Sequence, residues 1–176
     1  MAEEDGSIYW YDPDPRTILP LYGFHVPRSL KRIIKKNIFE IRVNSSFSEV
    51  MRACAEPVLG RESTWINEEL VTAYTKLHTL GFAHSVEAWQ AGKLVGGLYG
   101  VAIRGLFAGE SMFSRVSNSS KVALVYLVER LRCKGFMVLD TQFMTDHLRQ
   151  FGAEEIKAQE YKQRLQAALT IPARFE

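Results

Sequence analysis

Two short stretches of this chain carry side chains capable of chemistry. Asp140-Thr141-Gln142 closes an apolar run, Phe136-Met137-Val138-Leu139. In extended geometry the Asp140 carboxylate and the Gln142 amide point to one face and Thr141 to the other. An acid and an amide at the carboxyl end of a strand can hold an amine and help it lose a proton, or they can cap the next turn. Gly109-Glu110-Ser111-Met112-Phe113-Ser114-Arg115 places an acid, two hydroxyls, an arginine and two large apolar groups after a second apolar run. Glu110 is costly to bury unpaired, so either Arg115 satisfies it or it meets a ligand amine. Ser111 and Ser114 suit a ribose or a phosphate, and they suit a turn or a cap equally well. A third feature is electrostatic. Arg28, Lys31, Arg32, Lys35 and Lys36 recur at helical spacing opposite Leu30, Ile33 and Ile34. This basic stripe fits either phosphate contact or a solvated face.

The elements that must position these groups follow from periodicity and punctuation. Residues 25–37 read as a short helix with Pro27 in its first turn and Asn37 as its stop. Residues 38–43 alternate as a strand, and Ser46 or Ser48 caps a helix running towards Glu56, before a loop around Pro57 and Gly60. Asn67 caps a third helix that ends at Gly81. Residues 83–89, 94–103 and 106–109 then read as an antiparallel meander, with turns at Gly92 and at Arg104-Gly105. A well-buried helix from Asn118 or Ser119 to Gly135 follows, then the strand into Asp140, a short helix over 145–151, and an amphipathic helix over 159–169. This order predicts an α+β fold of the N-acyltransferase (GNAT) type, a mixed central sheet flanked by helices. The junction 114–121 lacks the glycine-bearing turn that cradles a pyrophosphate, which argues against coenzyme A as donor.

Composition sets the outer bounds. The chain has 176 residues, 47% of them hydrophobic, enough for one ordinary domain with a sizeable core. No apolar run approaches the roughly 20 residues of a membrane helix, and the acidic start lacks the pattern of a signal peptide, so a cytoplasmic protein is expected. Cys54 and Cys133 are expected to be packed thiols. The four histidines are scattered without ligand spacing, so neither a metal nor a nucleotide cofactor is expected. His84 reads as a hydrogen-bonded sheet residue. Net charge is only +2, yet residues 27–52 hold seven basic side chains against two acidic ones.

Several longer segments accompany these motifs: Trp10-Tyr-Asp-Pro-Asp-Pro-Arg16, Thr64-Trp-Ile66, His84-Ser-Val-Glu-Ala-Trp89, Gly96-Gly-Leu-Tyr-Gly-Val-Ala102, Asp146-His-Leu148 and Phe151-Gly-Ala-Glu-Glu-Ile156. Together with Glu110 to Arg115 and Asp140 to Gln142, they resemble the leucyl/phenylalanyl-tRNA-protein transferases over nearly the whole chain. The resemblance implies an enzyme that moves Leu, Phe or Met from aminoacyl-tRNA onto the N-terminal Arg or Lys of an acceptor protein, marking it for degradation. It implies that Asp140 and Gln142 serve the acceptor amine and that Glu110, Ser111, Ser114 and Arg115 bind the aminoacyl end. The amino-acid side chain is implied to lie in an apolar pocket of Trp65, Leu98, Phe107, Leu127, Leu131 and Leu139, and the basic helix to contact tRNA. Residues 1–24 read as a leader, the remnant of a family N-terminal domain, ahead of a catalytic domain over 25–176. Tyr9, Trp10 and Tyr11 are expected to replace part of an aromatic wall. A same-fold acyltransferase with another donor or acceptor, and a non-catalytic tRNA-binding module, are the alternatives.

Overall fold

A computed structural model describes residues 8–57 and 64–176. Its elements in chain order are β1 (Arg16–Ile18), α1 (Arg28–Lys35), β2 (Glu40–Val43), α2 (Phe47–Ala55), α3 (Glu68–Thr79), β3 (Ala83–Gln90), β4 (Lys93–Ile103), β5 (Leu106–Ser114), α4 (Ser119–Cys133), β6 (Val138–Gln142), α5 (Asp146–Arg149), β7 (Glu154–Ile156) and α6 (Ala158–Thr170). The expected punctuation is used. The Asn67 side chain accepts from the Leu70 N–H at 2.9 Å, capping α3. Gly81 and Gly135, at φ +80 and +75, end α3 and α4 in the left-handed conformation that glycine adopts without strain. Ala91 and Gly92 both have positive φ, the geometry of a tight two-residue hairpin between β3 and β4. The expected loop at Gly60 and the first seven residues of the leader lie outside the described residues.

The strands form one seven-stranded sheet in the order β2-β3-β4-β5-β6-β1-β7. Every neighbouring pair is antiparallel except β5 and β6. The sheet is therefore mixed, as expected, with α4 as the crossover between its two parallel strands. One face packs α4 through Val122, Leu124, Leu127 and Leu131 against Val86, Leu98, Phe107 and Leu139. The other face packs α2 and α3 through Val50, Met51 and Val71 against Leu94, Tyr99 and Phe113. On that second face α6 covers Ile18, Leu106, Val138 and Ile156. Leu30 of α1 is buried and Ile33 and Ile34 are partly so, leaving the opposite side of α1 to solvent.

Besides the short strand β7, which falls between two predicted helices, three features depart from the sequence expectations. β1 lies in the stretch read as a loop-like leader, yet it is inserted between β6 and β7, and Leu19 and Leu21 behind it are almost fully buried. A catalytic domain beginning at residue 25 thus omits one strand of its own sheet. β5 does not stop at Gly109 but runs to Ser114, carrying all of the polar motif except Arg115 on a strand. Cys54 is buried as expected, whereas Cys133, at the end of α4, is exposed.

Candidate active site

The site forms where two parallel strands part. β5 and β6 pair over only three positions, Leu106 with Val138, Phe107 with Leu139 and Ala108 with Asp140. Beyond Ala108, β5 continues alongside β4, while β6 ends at Gln142. Two cavities occupy the gap. The first, of about 510 Å³, lies towards α4 and is lined by Leu98, Met112, Leu124, Leu127 and Leu139 together with Ser111 and Ser114. The second, of about 240 Å³, lies towards α3, between Tyr9, Trp10 and Tyr11 on one side and Trp65, Leu70 and Tyr74 on the other. Glu110, Gln142 and Phe143 line both cavities and form the opening between them.

Glu110 reaches that position through a β-bulge. Tyr99 faces Ser111 and Gly100 faces Gly109, so Glu110 is the extra residue on β5. A bulge re-aims one side chain and reverses the alternation beyond it. Phe107 accordingly packs towards α4, while Phe113, an even number of residues on, packs towards α2. Glu110 is half-buried, and burial pushes its carboxyl up to about 7. The Tyr74 hydroxyl, which donates to it, pulls the other way; the Asp140 charge adds to the rise and Arg16 opposes it. Burial raises the Tyr74 phenol in turn, and the neighbouring Glu110 raises it further.

Asp140 is completely buried and heavily partnered. Arg16 Nε donates to both of its oxygens at 3.2 Å and Arg16 Nη2 to Oδ2 at 2.7 Å. The Tyr161 hydroxyl donates to Oδ2 at 2.7 Å and the Gln142 N–H to Oδ1 at 2.9 Å. The Arg16 guanidinium also lies 4.4 Å from the centre of the Tyr161 ring. Burial would lower the Arg16 pKa, but the bonds and charge of Asp140 carry it above its ordinary value. Gln142 is not simply extended. Its φ is 59, and the Phe143 N–H donates to the Thr141 carbonyl at 2.7 Å across it, making a three-residue turn. The one-face arrangement expected of Asp140 and Gln142 is thereby replaced by a direct bond from the Gln142 main chain to the Asp140 carboxylate.

The structure brings most of the candidate residues together. Glu110, Ser111, Ser114, Leu98, Leu127, Leu139 and Gln142 line the first cavity, and Trp65 lines the second. Phe107 and Leu131, expected in the pocket, are fully buried in the core and line neither cavity. Arg115 also belongs elsewhere: it pairs with Glu56 at 2.5 Å and reaches the Leu94 carbonyl, so it is not the partner of Glu110. The Ser114 hydroxyl accepts from the Ser120 N–H and bonds the Ser119 and Ser120 hydroxyls at the start of α4, which is the capping role. Arg28, Lys31, Arg32, Lys35 and Lys36 line the outer side of α1, and none is in an ion pair among the described residues. His84 bonds Asn44 and the Gly81 carbonyl, as its sheet role requires. Sequence reasoning missed Arg16, Tyr74 and Tyr161. The available signal was that a buried Asp140 demands a cation, and Arg16 stood in a segment already singled out.

The family model described as "Leucyl/phenylalanyl-tRNA protein transferase" matches residues 18–166. The chain belongs to that family. It is 59% identical over 174 residues to the leucyl/phenylalanyl-tRNA–protein transferase of Herpetosiphon aurantiacus, covering 98% of this chain and 89% of that protein. The transferase of Phenylobacterium zucineum is 55% identical over 99% of this chain and 79% of its own length. Family membership makes the chain an aminoacyltransferase. Among solved structures, L-PGS from Bacillus licheniformis superposes with a TM-score of 0.52 at 13% identity, over 76% of this chain and 48% of that one, a likeness of fold. No helix among the described residues is long and apolar enough to cross a membrane.

Proposed function

We propose that the parted strands hold the aminoacyl ester of a charged tRNA and deliver it to the N-terminal amine of an acceptor protein in the cytoplasm. The observation that carries this reading is the pair of cavities meeting at Glu110 and Gln142. The apolar cavity takes the side chain of Leu, Phe or Met, with Leu98, Leu127 and Leu139 as its walls. Such a pocket discriminates by only about 1–3 kcal/mol per methylene, so more than one of these donors is accepted. The aromatic cavity takes the terminal nucleoside, since a ring offers a stacking face to any base. Glu110 lies between the two, where the donor's own α-amino group falls.

The ester is already activated, and the acceptor amine, with an unperturbed pKa near 8, must be placed and lose a proton. The Gln142 amide oxygen accepts from that amine and so orients its lone pair towards the carbonyl. Asp140 supports Gln142. The catalytic unit runs from β1 through residues 25–176, because Arg16 anchors Asp140. The outer stripe of α1 contacts tRNA phosphates without reading bases. The acceptor begins with Arg or Lys.

The test is transfer of labelled Phe and Leu from aminoacyl-tRNA to peptides beginning with Arg, Lys or Ser, by the wild-type chain and by Asp140→Ala. Transfer that requires Asp140 and a basic first residue is expected. Equal transfer to the Ser peptide would refute the acceptor assignment, and absence of both transfer and aminoacyl-tRNA binding would refute the function.

A further inference from the structure

The segment Trp10-Tyr-Asp-Pro-Asp-Pro-Arg16 has so far supplied one arginine to the site, but its acids act on the same assembly. Asp14 Oδ1 accepts the N–H of Ala158, the first residue of α6, at 3.1 Å. Asp12 pairs with Lys162 of α6 at 3.4 Å and with Arg16 Nη1 at 3.1 Å. The segment is thus tied to α6, and from α6 Tyr161 reaches the carboxylate that Arg16 also reaches.

An ionised carboxylate has about four lone-pair positions. On Asp140, Oδ1 accepts from Arg16 Nε and the Gln142 N–H, while Oδ2 accepts from Arg16 Nη2, Arg16 Nε and the Tyr161 hydroxyl. No position is left for a substrate amine, and the residue is 0% exposed. Of the partners of this carboxylate, Gln142 alone lines both cavities, whereas Arg16 lines only the aromatic one. Gln142 needs such support, because a non-glycine residue at φ 59 persists only where its surroundings hold it, and such residues gather at functional sites.

We propose that Arg16 and Tyr161 are positioning residues of the transfer reaction: they fix the Asp140 carboxylate, which holds the Gln142 main chain in its turn and keeps the Gln142 side chain at the opening shared by both cavities. The proposal rests on the functional reading above, in which Gln142 meets the acceptor amine. It specifies the part given to Asp140, which acts on Gln142 alone and never touches substrate. It also explains why two segments at opposite ends of the described chain converge on the end of one strand.

The test uses Tyr161→Phe, which removes a hydroxyl and nothing else, in the wild-type and in the Gln142→Ala background. Labelled Phe transfer to an Arg-initiated peptide is followed alongside the folded fraction at assay temperature. Losing a hydrogen bond to a charged group predicts a fall in kcat of roughly 10- to 100-fold. The KM for aminoacyl-tRNA should stay within about twofold, since an interaction that serves only the reacting geometry leaves donor binding alone. In the Gln142→Ala background the same substitution should cost less than about twofold, because residues acting in one chain are not additive. Arg16→Lys, which keeps the charge but loses the fork, should show the same fall in kcat, again lost in the Gln142→Ala background. A Tyr161→Phe kcat within about twofold of wild type would overturn the proposal, as would an equal loss in both backgrounds or a loss that tracks the unfolded fraction. A wild-type chain that transfers nothing would overturn the functional reading itself, a result visible before any variant is compared.

Discussion

Replacing Glu110 with glutamine should change how stability responds to pH, by an amount that follows from its surroundings. Burial lifts the carboxyl from its ordinary 4.5 to about 7. Between these values the folded chain keeps a proton that the unfolded chain has released, so wild-type stability falls as pH rises from 4.5 through 7. The difference of about 2.5 on the pH scale, at about 1.36 kcal/mol each, sets a ceiling near 3.4 kcal/mol. Water at the half-exposed edge trims this to roughly 2–3 kcal/mol. Glutamine carries no such proton. The advantage of Glu110→Gln over wild type should therefore grow by about 4–12 °C in Tm between pH 4.5 and pH 8.5, at about 2–4 °C per kcal/mol for a chain of this size. Thermal melts of both proteins followed by circular dichroism across that range provide the assay, and comparing the two proteins cancels every other titrating group. A Tm difference that stays constant with pH would refute the placement of Glu110 as a strained acid.

Other substitutions probe the remaining parts. Reversing Lys31 and Lys35 to Glu should weaken tRNA binding for every sequence and flatten the plot of log affinity against log salt by about 0.7–0.9 for each phosphate that is no longer neutralised, measured by filter binding. Gly100→Ala would place a Cβ 2.3 Å from the Ala108 carbonyl and 2.4 Å from the Phe107 ring. Overpacking of roughly 3 kcal/mol should lower Tm by about 6–12 °C in a thermal melt. Asn67→Ala removes the α3 cap and should cost about 1 kcal/mol, or about 2–4 °C. Trp10→Ala, which strips an 88% exposed ring from the rim of the aromatic cavity, should weaken binding of an aminoacyl-adenosine analogue by about 1–3 kcal/mol in calorimetry.

Periodicity made most of this architecture legible, and its failures have specific causes. β1 and β7 have three residues each, too few for alternation to register, and they are strands because Arg16 lies opposite Ile156 and Ile18 opposite Glu154. β5 seemed to end at Gly109 because the bulge at Glu110 shifts the apolar positions from one parity to the other, which reads as loss of pattern. Glu110 and Gln142 were visible as chemistry because acids and amides at strand ends stand out. Their partners were not, since Arg16 and Asp140 are 124 residues apart and nothing local pairs them. Arg115 shows the converse: close to Glu110 in sequence, it pairs instead with Glu56, 59 residues away. Phe107 and Leu131 illustrate a third limit, because sequence does not separate an apolar wall from the core behind it.

The three-position pairing of β5 with β6 also bears on how such a protein can diversify. The frame of the gap is the divergence of two main chains, while the lining of its larger cavity comes from side chains on α4, α5, β4, β5 and β6. A frame of that kind survives replacement of its lining, because the hydrogen-bonded ladder below Ala108 does not depend on what fills the space above. If the apolar cavity holds the donor side chain as proposed, Leu98, Leu127 and Leu139 are the positions at which a broader or narrower cargo range could be selected without the fold having to be relearned.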